Sequence, residues 1–289
     1  MLSGFSVVRN AVALDYPIVP AIRSILELCD EVVVNVGPSD DGTRDLVASI
    51  GDPRVRIVDG VWDISLGRLV LSVETNRAMA ACRGPWGVYI QADEVLHEDG
   101  VAILRDMVRG VDGDAGVEGL LVEYVHLYGD FETVATNRHW YRREVRVVRL
   151  GGDIRSFGDA QGFRVGAGER RLRARLTGAR MFHYGWARPP ASLLRKQRAW
   201  QEIFAAGQET EAQRDPEDSL EWTPLLRPLR GAHPRAVAEW VAARRSEGVA
   251  APHVGPRRLR PGDLRYYMSD WIERLTGARI FEYKNYVEV

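Results

Sequence analysis

The sequence predicts an α/β fold, a mostly parallel sheet flanked by helices and followed by a helical C-terminal extension. Three observations carry this. Continuous β-branched runs such as Val32 to Val36 read as strands buried on both faces. Through the first half such runs alternate with stretches of helical periodicity, as parallel strands joined by right-handed crossovers require. Past Pro189-Pro190 the strands give way to amphipathic helices. The division falls near residue 190, separating residues 1–190 from a mainly helical part, residues 191–289.

The elements follow in order. Phe5 to Val8 is a short strand ending at Arg9-Asn10, and Pro17 to Leu28 repeats Ile18, Ile22, Ile25 and Leu26 at helical spacing. The strand Val32 to Val36 breaks at Gly37-Pro38. Ser39-Asp40-Asp41-Gly42 then supplies a turn, and Asp41 or Thr43 can cap the helix Arg44 to Ser49. Val55 to Val58, the helix Val73 to Cys82 and the strand Trp86 to Gln91 come next. Gly119 to Leu127, Val145 to Leu150 and Arg180 to Tyr184 read as later strands. Leu193 to Ala206, Arg235 to Arg245 and Asp263 to Leu275 read as helices. Gly207 to Pro234 is polar and loop-like, and Gly248 to Pro261 resembles a linker.

Composition excludes several classes. The chain has 289 residues, 45% hydrophobic and 27% charged, enough for one large domain with an appended part. Its net charge of −1 provides no global attraction to nucleic acid or to an acidic membrane. Of 39 basic residues only Lys196 and Lys284 are lysines. A GC-rich genome explains that bias, and arginine chosen for anionic ligands accounts for a few positions only. Cys29 and Cys82 lie in apolar contexts without metal or disulfide spacing, which suggests buried thiols in a reducing compartment. No signal-peptide pattern and no run of about 18 apolar residues is present, so a cytoplasmic protein is expected.

In an open α/β sheet, ligands sit beyond the carboxyl ends of the strands. Three polar clusters fall there: Asn10, then Ser39 to Thr43, then Gln91-Ala92-Asp93-Glu94 with His97 and Glu98 behind. Carboxylates at the end of an apolar strand are costly unless compensated, and a divalent cation compensates them. Ordinary turn and cap chemistry accounts equally well for the Asp40 cluster. It accounts less well for Asp93-Glu94, because Val88-Tyr89-Ile90 before them is so apolar.

In this order the motifs resemble a GT-A glycosyltransferase of the family 2-like group. Phe5 to Asn10 is similar to that group's first strand and its nucleotide-facing end. Ser39-Asp40-Asp41-Gly42-Thr43 resembles its base- and ribose-holding turn, and Thr75-Asn76-Arg77-Ala78 with Gly84 its helix before the metal strand. Val88 to Glu94 stands where the "DxD" motif is expected, with Gln91 in place of the first aspartate. Gly158 to Arg164, Phe182-His183-Tyr184-Gly185-Trp186 and the tail Arg279 to Tyr286 extend the likeness, while Gly207 to Pro261 has no counterpart.

The resemblance implies transfer of a hexose-type sugar from a nucleotide-diphosphate donor to an acceptor hydroxyl, with inversion. It implies a donor site of Arg9, Asn10, Ser39, Asp40, Asp41, Asn76, Gln91, Ala92 and Asp93. Mg²⁺ or Mn²⁺ would be held by Asp93 and His183, and Asp159 would be the general base. Glu94, His126 and Trp186 would meet the acceptor, a sugar, a lipid-linked molecule or another small molecule. Bland rivals stand beside these. His183 fits a satisfied core histidine, Asp159 a partner of Arg155 or Arg164, and Glu94 a helix-start carboxylate. Trp62, Trp140 and Trp186 are sugar platforms or core aromatics. The helix from Leu193, with Arg195, Lys196 and Arg198, is a solvated face or a lid reaching the diphosphate. A non-catalytic nucleotide-sugar- or partner-binding module and a sugar nucleotidyltransferase are the alternatives. The latter lacks its Gly-rich basic loop between Asn10 and Tyr16. Nucleic-acid binding is disfavoured, since Arg170, Arg171, Arg173 and Arg175 form one local strip. Tyr266, Tyr267, Trp271, Phe281, Tyr283 and Tyr286 could form an oligomer interface or a lid on the core.

Overall fold

A computed structural model describes residues 1–204, 225–246, 261–280 and 282–289. The first half alternates as expected: β1 (Leu2–Val8), α1 (Ile18–Leu26), β2 (Glu31–Val36), α2 (Thr43–Ala48), β3 (Val55–Asp59), α3 (Leu69–Ala80) and β4 (Trp86–Tyr89). After β5 (Glu94–Leu96) and α4 (Asp99–Val111) come β6 (Gly119–Tyr128), β7 (Thr133–Ala135), β8 (Arg143–Arg149), β9 (Ile154–Phe157), β10 (Gly162–Val165) and β11 (Arg170–Trp186). The chain ends with α5 (Pro190–Phe204), β12 (Leu226–Pro228), α6 (Ala238–Ser246), α7 (Leu264–Thr276) and β13 (Tyr286–Glu288).

The main sheet runs β3-β2-β1-β4-β8-β6-β11-β10-β9. Its first four strands are parallel, β8 runs antiparallel to β4 and β6, and β6 and β11 are again parallel. The order 3-2-1-4 reverses direction at β1, so a crevice opens beyond the carboxyl ends of β1 and β4. Every residue of β2 and β4 is buried, which is why these runs carry no polar alternation. Helix α1 buries Ile18, Ala21, Ile22, Ile25 and Leu26 on one stripe against the sheet.

Two differences from expectation have local causes. Helix α3 begins at Leu69, four residues before Val73, because its buried face carries Ser72, Glu74 and Thr75 and the apolar spacing does not mark its start. The C-terminal part contributes strands as well as helices: β12 pairs with β7, and β13 with β11. Three-residue strands are too short to show a period. Val237 and Val241 join Phe131, Phe182 and Tyr184 in one hydrophobic cluster, so this part packs directly on β6 and β11. The helix expected to reach Ala206, the loop from Gly207 and the linker from Gly248 extend outside the described residues. Cys29 and Cys82 are free thiols, buried and half-buried. Among the described residues no helix is long and apolar enough to cross a membrane.

Candidate donor and metal site

The site forms where β4 runs out. Strand β5 turns back and pairs antiparallel with β11, His183 opposite Glu94, and Tyr184 N–H donates to Asp93 C=O at 2.8 Å. This ladder sets His183 Nε2 3.7 Å from Asp93 Oδ2. Both residues are buried.

The tautomer of His183 follows from its neighbours. His126 Nε2 lies 2.8 Å from Tyr141 C=O, which can only accept, so that nitrogen carries the proton. Burial, the largest cause, holds the His126 pKa well below its ordinary value, so the ring is neutral and its Nδ1 is a lone pair. His183 Nδ1 lies 3.2 Å from it and must donate. The His183 pKa is also lowered, by burial and against the pull of Asp93. His183 Nε2 is thus left as a lone pair facing Asp93 Oδ2, the orientation of a metal-ligating histidine. Gly185 keeps this space open. A Cβ there would lie 2.5 Å from His183 Nε2 and 3.0 Å from Asp93 Oδ2.

Cations close the other side. Lys196 Nζ of α5 donates to Asp93 Oδ2 at 2.8 Å and to Gly185 C=O at 3.1 Å. The fully buried Arg188 guanidinium lies 3.7 Å from the same carboxylate oxygen and stacks on Tyr16, and its Nε is buried without a hydrogen-bond partner. Burial alone would raise the Asp93 pKa, but Lys196, His183 and Arg188 outweigh it and hold the carboxyl well below the usual range. Burial pulls Lys196 down to about 8 against the opposing charge of Asp93. One carboxylate therefore sits among two permanent or near-permanent cations and an imidazole, an environment short of negative charge.

A Mg²⁺ or Mn²⁺ ion fits this donor set with one carboxylate and one neutral imidazole, its other positions going to phosphate oxygens and water. Among the described residues no group of three or more carboxylates, imidazoles or thiols gathers into a metal cluster. Such an ion must share or take Asp93 Oδ2 from Lys196.

The remaining expected residues fall into two groups. Around the crevice, Ser39 Oγ accepts Asn10 N–H at 3.0 Å, Arg9 Nε donates to Pro38 C=O and its guanidinium lies over Trp62, and Asp40 is exposed. Ala92 is buried beside Asp93. Asp41 is tied into the turn: it accepts Thr43 N–H and Oγ–H and Ala13 N–H, which bind the loop after β1 to α2. Gln91 Nε2 donates to Ala160 C=O at 3.3 Å, which brings the β9–β10 turn, and Asp159 on it, against the end of β4. Arg155 pairs with Glu169 and Arg164 binds Asn285, so neither neutralises Asp159, which is exposed.

Two residues differ from the roles implied for them. Asn76 spends both ends of its amide on Ser156, accepting its N–H at 2.7 Å and donating to its C=O at 3.1 Å, and so fastens β9 to α3. Glu94 is fully buried and starts a strand rather than a helix. Its oxygens take Arg146 Nη2 and Nε, Tyr124 O–H and Gln91 N–H, so no lone pair faces an acceptor. His126 touches an aromatic group, Trp140 and Tyr141, and the half-buried Trp186 joins it through Trp140. Sequence reasoning missed Arg188, which lacks any motif, and Glu144. Burial raises the Glu144 pKa to about 7, and one of its oxygens has no partner.

No protein-family model matches this sequence, and no curated protein matches it. Among solved structures, S. aureus TarS 1-349 in complex with UDP matches at 17% identity over 47% of this chain and 38% of that chain, with a TM-score of 0.34. Glucosyl-3-phosphoglycerate synthase from Mycobacterium tuberculosis, in complex with Mn²⁺, UDP and phosphoglyceric acid, matches at 21% identity over 44% of this chain and 43% of that chain, with a TM-score of 0.30. The matches span less than half the length of either chain. These neighbours are GT-A glycosyltransferases.

Proposed function

We propose that the chain transfers a sugar from a nucleotide-diphosphate donor to an acceptor hydroxyl. The observation that carries this reading is the cation-rich cluster at the sheet's switch point: Asp93 and a lone-pair-out His183 meet over Gly185, with Lys196 and Arg188 converging on the same carboxylate. A diphosphate leaving group gains negative charge as its bond to the sugar breaks, and a preorganised excess of positive charge stabilises that state. Lys196 and Arg188 bind and orient the diphosphate. Asp93 and His183 would hold Mg²⁺ or Mn²⁺, which supplies Lewis-acid charge neutralisation when bound. Arg9, Asn10, Ser39 and Asp40 line the crevice for the nucleoside. Asp159, exposed and unneutralised, takes the acceptor proton late, as the anomeric carbon turns cation-like, and attack from the face opposite the diphosphate inverts that centre. Trp186 and Trp140 offer flat apolar surface for an acceptor sugar.

The test is calorimetric titration of UDP and GDP with Mn²⁺, Mg²⁺ or EDTA, on the natural chain and on Asp93→Ala, paired with turnover by Asp159→Asn. One nucleoside diphosphate is expected to bind, with at least about tenfold loss in Asp93→Ala. Asp159→Asn is expected to keep binding and lose turnover by about 10²–10⁴-fold. Failure of every nucleotide to bind under every metal condition overturns the reading. Retained turnover in Asp159→Asn removes its role as base.

A further inference from the structure

Strands β6 and β11 run parallel and set His126 directly opposite His183. Partners in register stand on the same face of a sheet, so the two buried rings meet, with centroids 5.2 Å apart. His126 Nε2 donates to Tyr141 C=O at 2.8 Å, and its Nδ1 lies 3.2 Å from His183 Nδ1. Both ring nitrogens are spent inside the protein, and neither is left for an acceptor molecule.

The surroundings hold this ring in place. Tyr124 stacks on it at 5.2 Å with the planes 20° apart, and Tyr141 and Trp140 pack against it at 4.6 and 5.2 Å. The Tyr141 carbonyl belongs to a loop that Arg279 pins, donating to Thr136 and Trp140 C=O at 3.0 and 3.2 Å. Glu273 of α7 in turn holds Arg279 Nε at 2.8 Å. The acceptor for His126 Nε2–H is therefore as fixed as the strand that carries the ring.

We infer that His126 is a positioning residue: it keeps the His183 proton on Nδ1, so that His183 Nε2 faces Asp93 as a ready metal ligand. The contact between the two Nδ1 atoms has two arrangements, in which His183 donates or His126 does. If His126 donates, it carries protons on both nitrogens. That places a positive charge in an aromatic enclosure where Arg146 and Arg279, the ionic side chains that act on it, are positive as well. If His183 donates, its Nε2 stays bare beside Asp93 Oδ2, 3.7 Å away. Remove the acceptor at Nδ1 and the proton is free to move to Nε2, where the carboxylate attracts it and closes the ligand position. The inference rests on the proposed use of Asp93 and His183 as a metal site.

The experiment has two readings. The first is a long-range proton–nitrogen correlation spectrum of the full chain, with its six histidines labelled and no metal added. His183 is expected as the Nδ1–H tautomer and His126 as the Nε2–H tautomer, the signals being assigned with His183→Gln and His126→Asn. The second is Mn²⁺ affinity by electron paramagnetic resonance, with and without UDP, for the natural chain, His126→Phe and His126→Asn. Phenylalanine keeps a ring and loses both nitrogens, whereas asparagine places an accepting oxygen near the position of Nδ1. Thermal melts confirm folding. His126→Phe is expected to bind Mn²⁺ about tenfold more weakly or worse and to move the His183 proton to Nε2. His126→Asn should keep the Nδ1–H tautomer and recover most of the affinity. A proton on His183 Nε2 in the natural chain overturns the inference whatever the variants do. Equal losses in both variants assign His126 to packing and overturn it too. Natural affinity in folded His126→Phe removes this role alone, while absence of Mn²⁺ binding by the natural chain removes the metal site and this role with it.

Discussion

Glu144 shows what a single buried carboxyl does to the chain's pH response. It accepts from Gln161 and Asn285 through one oxygen, while the other is buried without a partner. Burial raises its pKa from 4.5 to about 7. Between those values the folded chain keeps a proton that the unfolded chain has released, so stability falls as pH rises through that window. Glu144→Gln is neutral at every pH and keeps an oxygen to accept from Gln161 and Asn285. It should gain roughly 2–3 kcal/mol over the natural chain at pH 8 and little at pH 5, as read by chemical denaturation. A gain of equal size at both values would point to packing rather than titration. Glutamate in a β-branched run, as in Arg143-Glu144-Val145, carries no sign of this, because burial on both faces is decided by β4, β6 and the tail together. The burial of Asp93 was legible for the opposite reason: an apolar run delivers it to the end of a buried strand, where Lys196, His183 and Arg188 offset the cost of burying its charge.

Helix α5 is the element on which the surroundings of Asp93 depend. Arg195 donates to Ala13 C=O and Lys196 to Asp93, so the helix rests across the loop that follows β1. The sequence displayed three cations on one helical segment without indicating which one turns inward. That choice is made by Pro189-Pro190 and the turn after Gly185, which fix the helix's rotation. If Lys196 and a metal ion compete for Asp93 Oδ2, Lys196→Met should divide the two routes to charge balance. Nucleotide binding in EDTA is expected to fall about tenfold, while the Mn²⁺ concentration giving half-maximal binding falls rather than rises. A parallel loss with and without metal would place Lys196 on the diphosphate alone. Strands β2 and β4 were legible because each run is buried on both faces. The seventeen-residue β11 was not, since its first half alternates arginine with buried Leu172 and Ala174 and only Met181 to Gly185 is continuously buried.

At the scale of the whole molecule the last residues complete the centre. Strand β13 adds to β11 beside Leu172, and Tyr286 is buried in the cluster that holds Phe5, Tyr89 and Phe163. Asn285 accepts from Arg164 at 2.6 Å and lies so close to Gly162 that a Cβ there would meet its amide at 2.4 Å. The tail thus clamps the hairpin that presents Asp159. Truncation after Lys284 should cost about 2–4 kcal/mol of stability, measured by denaturant unfolding, and lower turnover more than nucleotide affinity. Equal losses in both would place the tail's effect in folding alone. The parallel half of the sheet and its switch point could be read from residues 5 to 98. This closure could not, because it joins positions more than a hundred residues apart and depends on shape rather than period.

Gln91 has a consequence for how the sequence can change. Its amide donates to Ala160 C=O, and its backbone N–H to Glu94. An aspartate at 91 cannot make the first of these bonds and would set a second carboxylate beside Glu94. Exchanging this one residue for aspartate would loosen the turn bearing Asp159 in the act of adding a carboxylate. Position 91 is therefore coupled to the backbone path of the β9–β10 turn rather than to any side chain on it, and a change there is felt in where that turn sits.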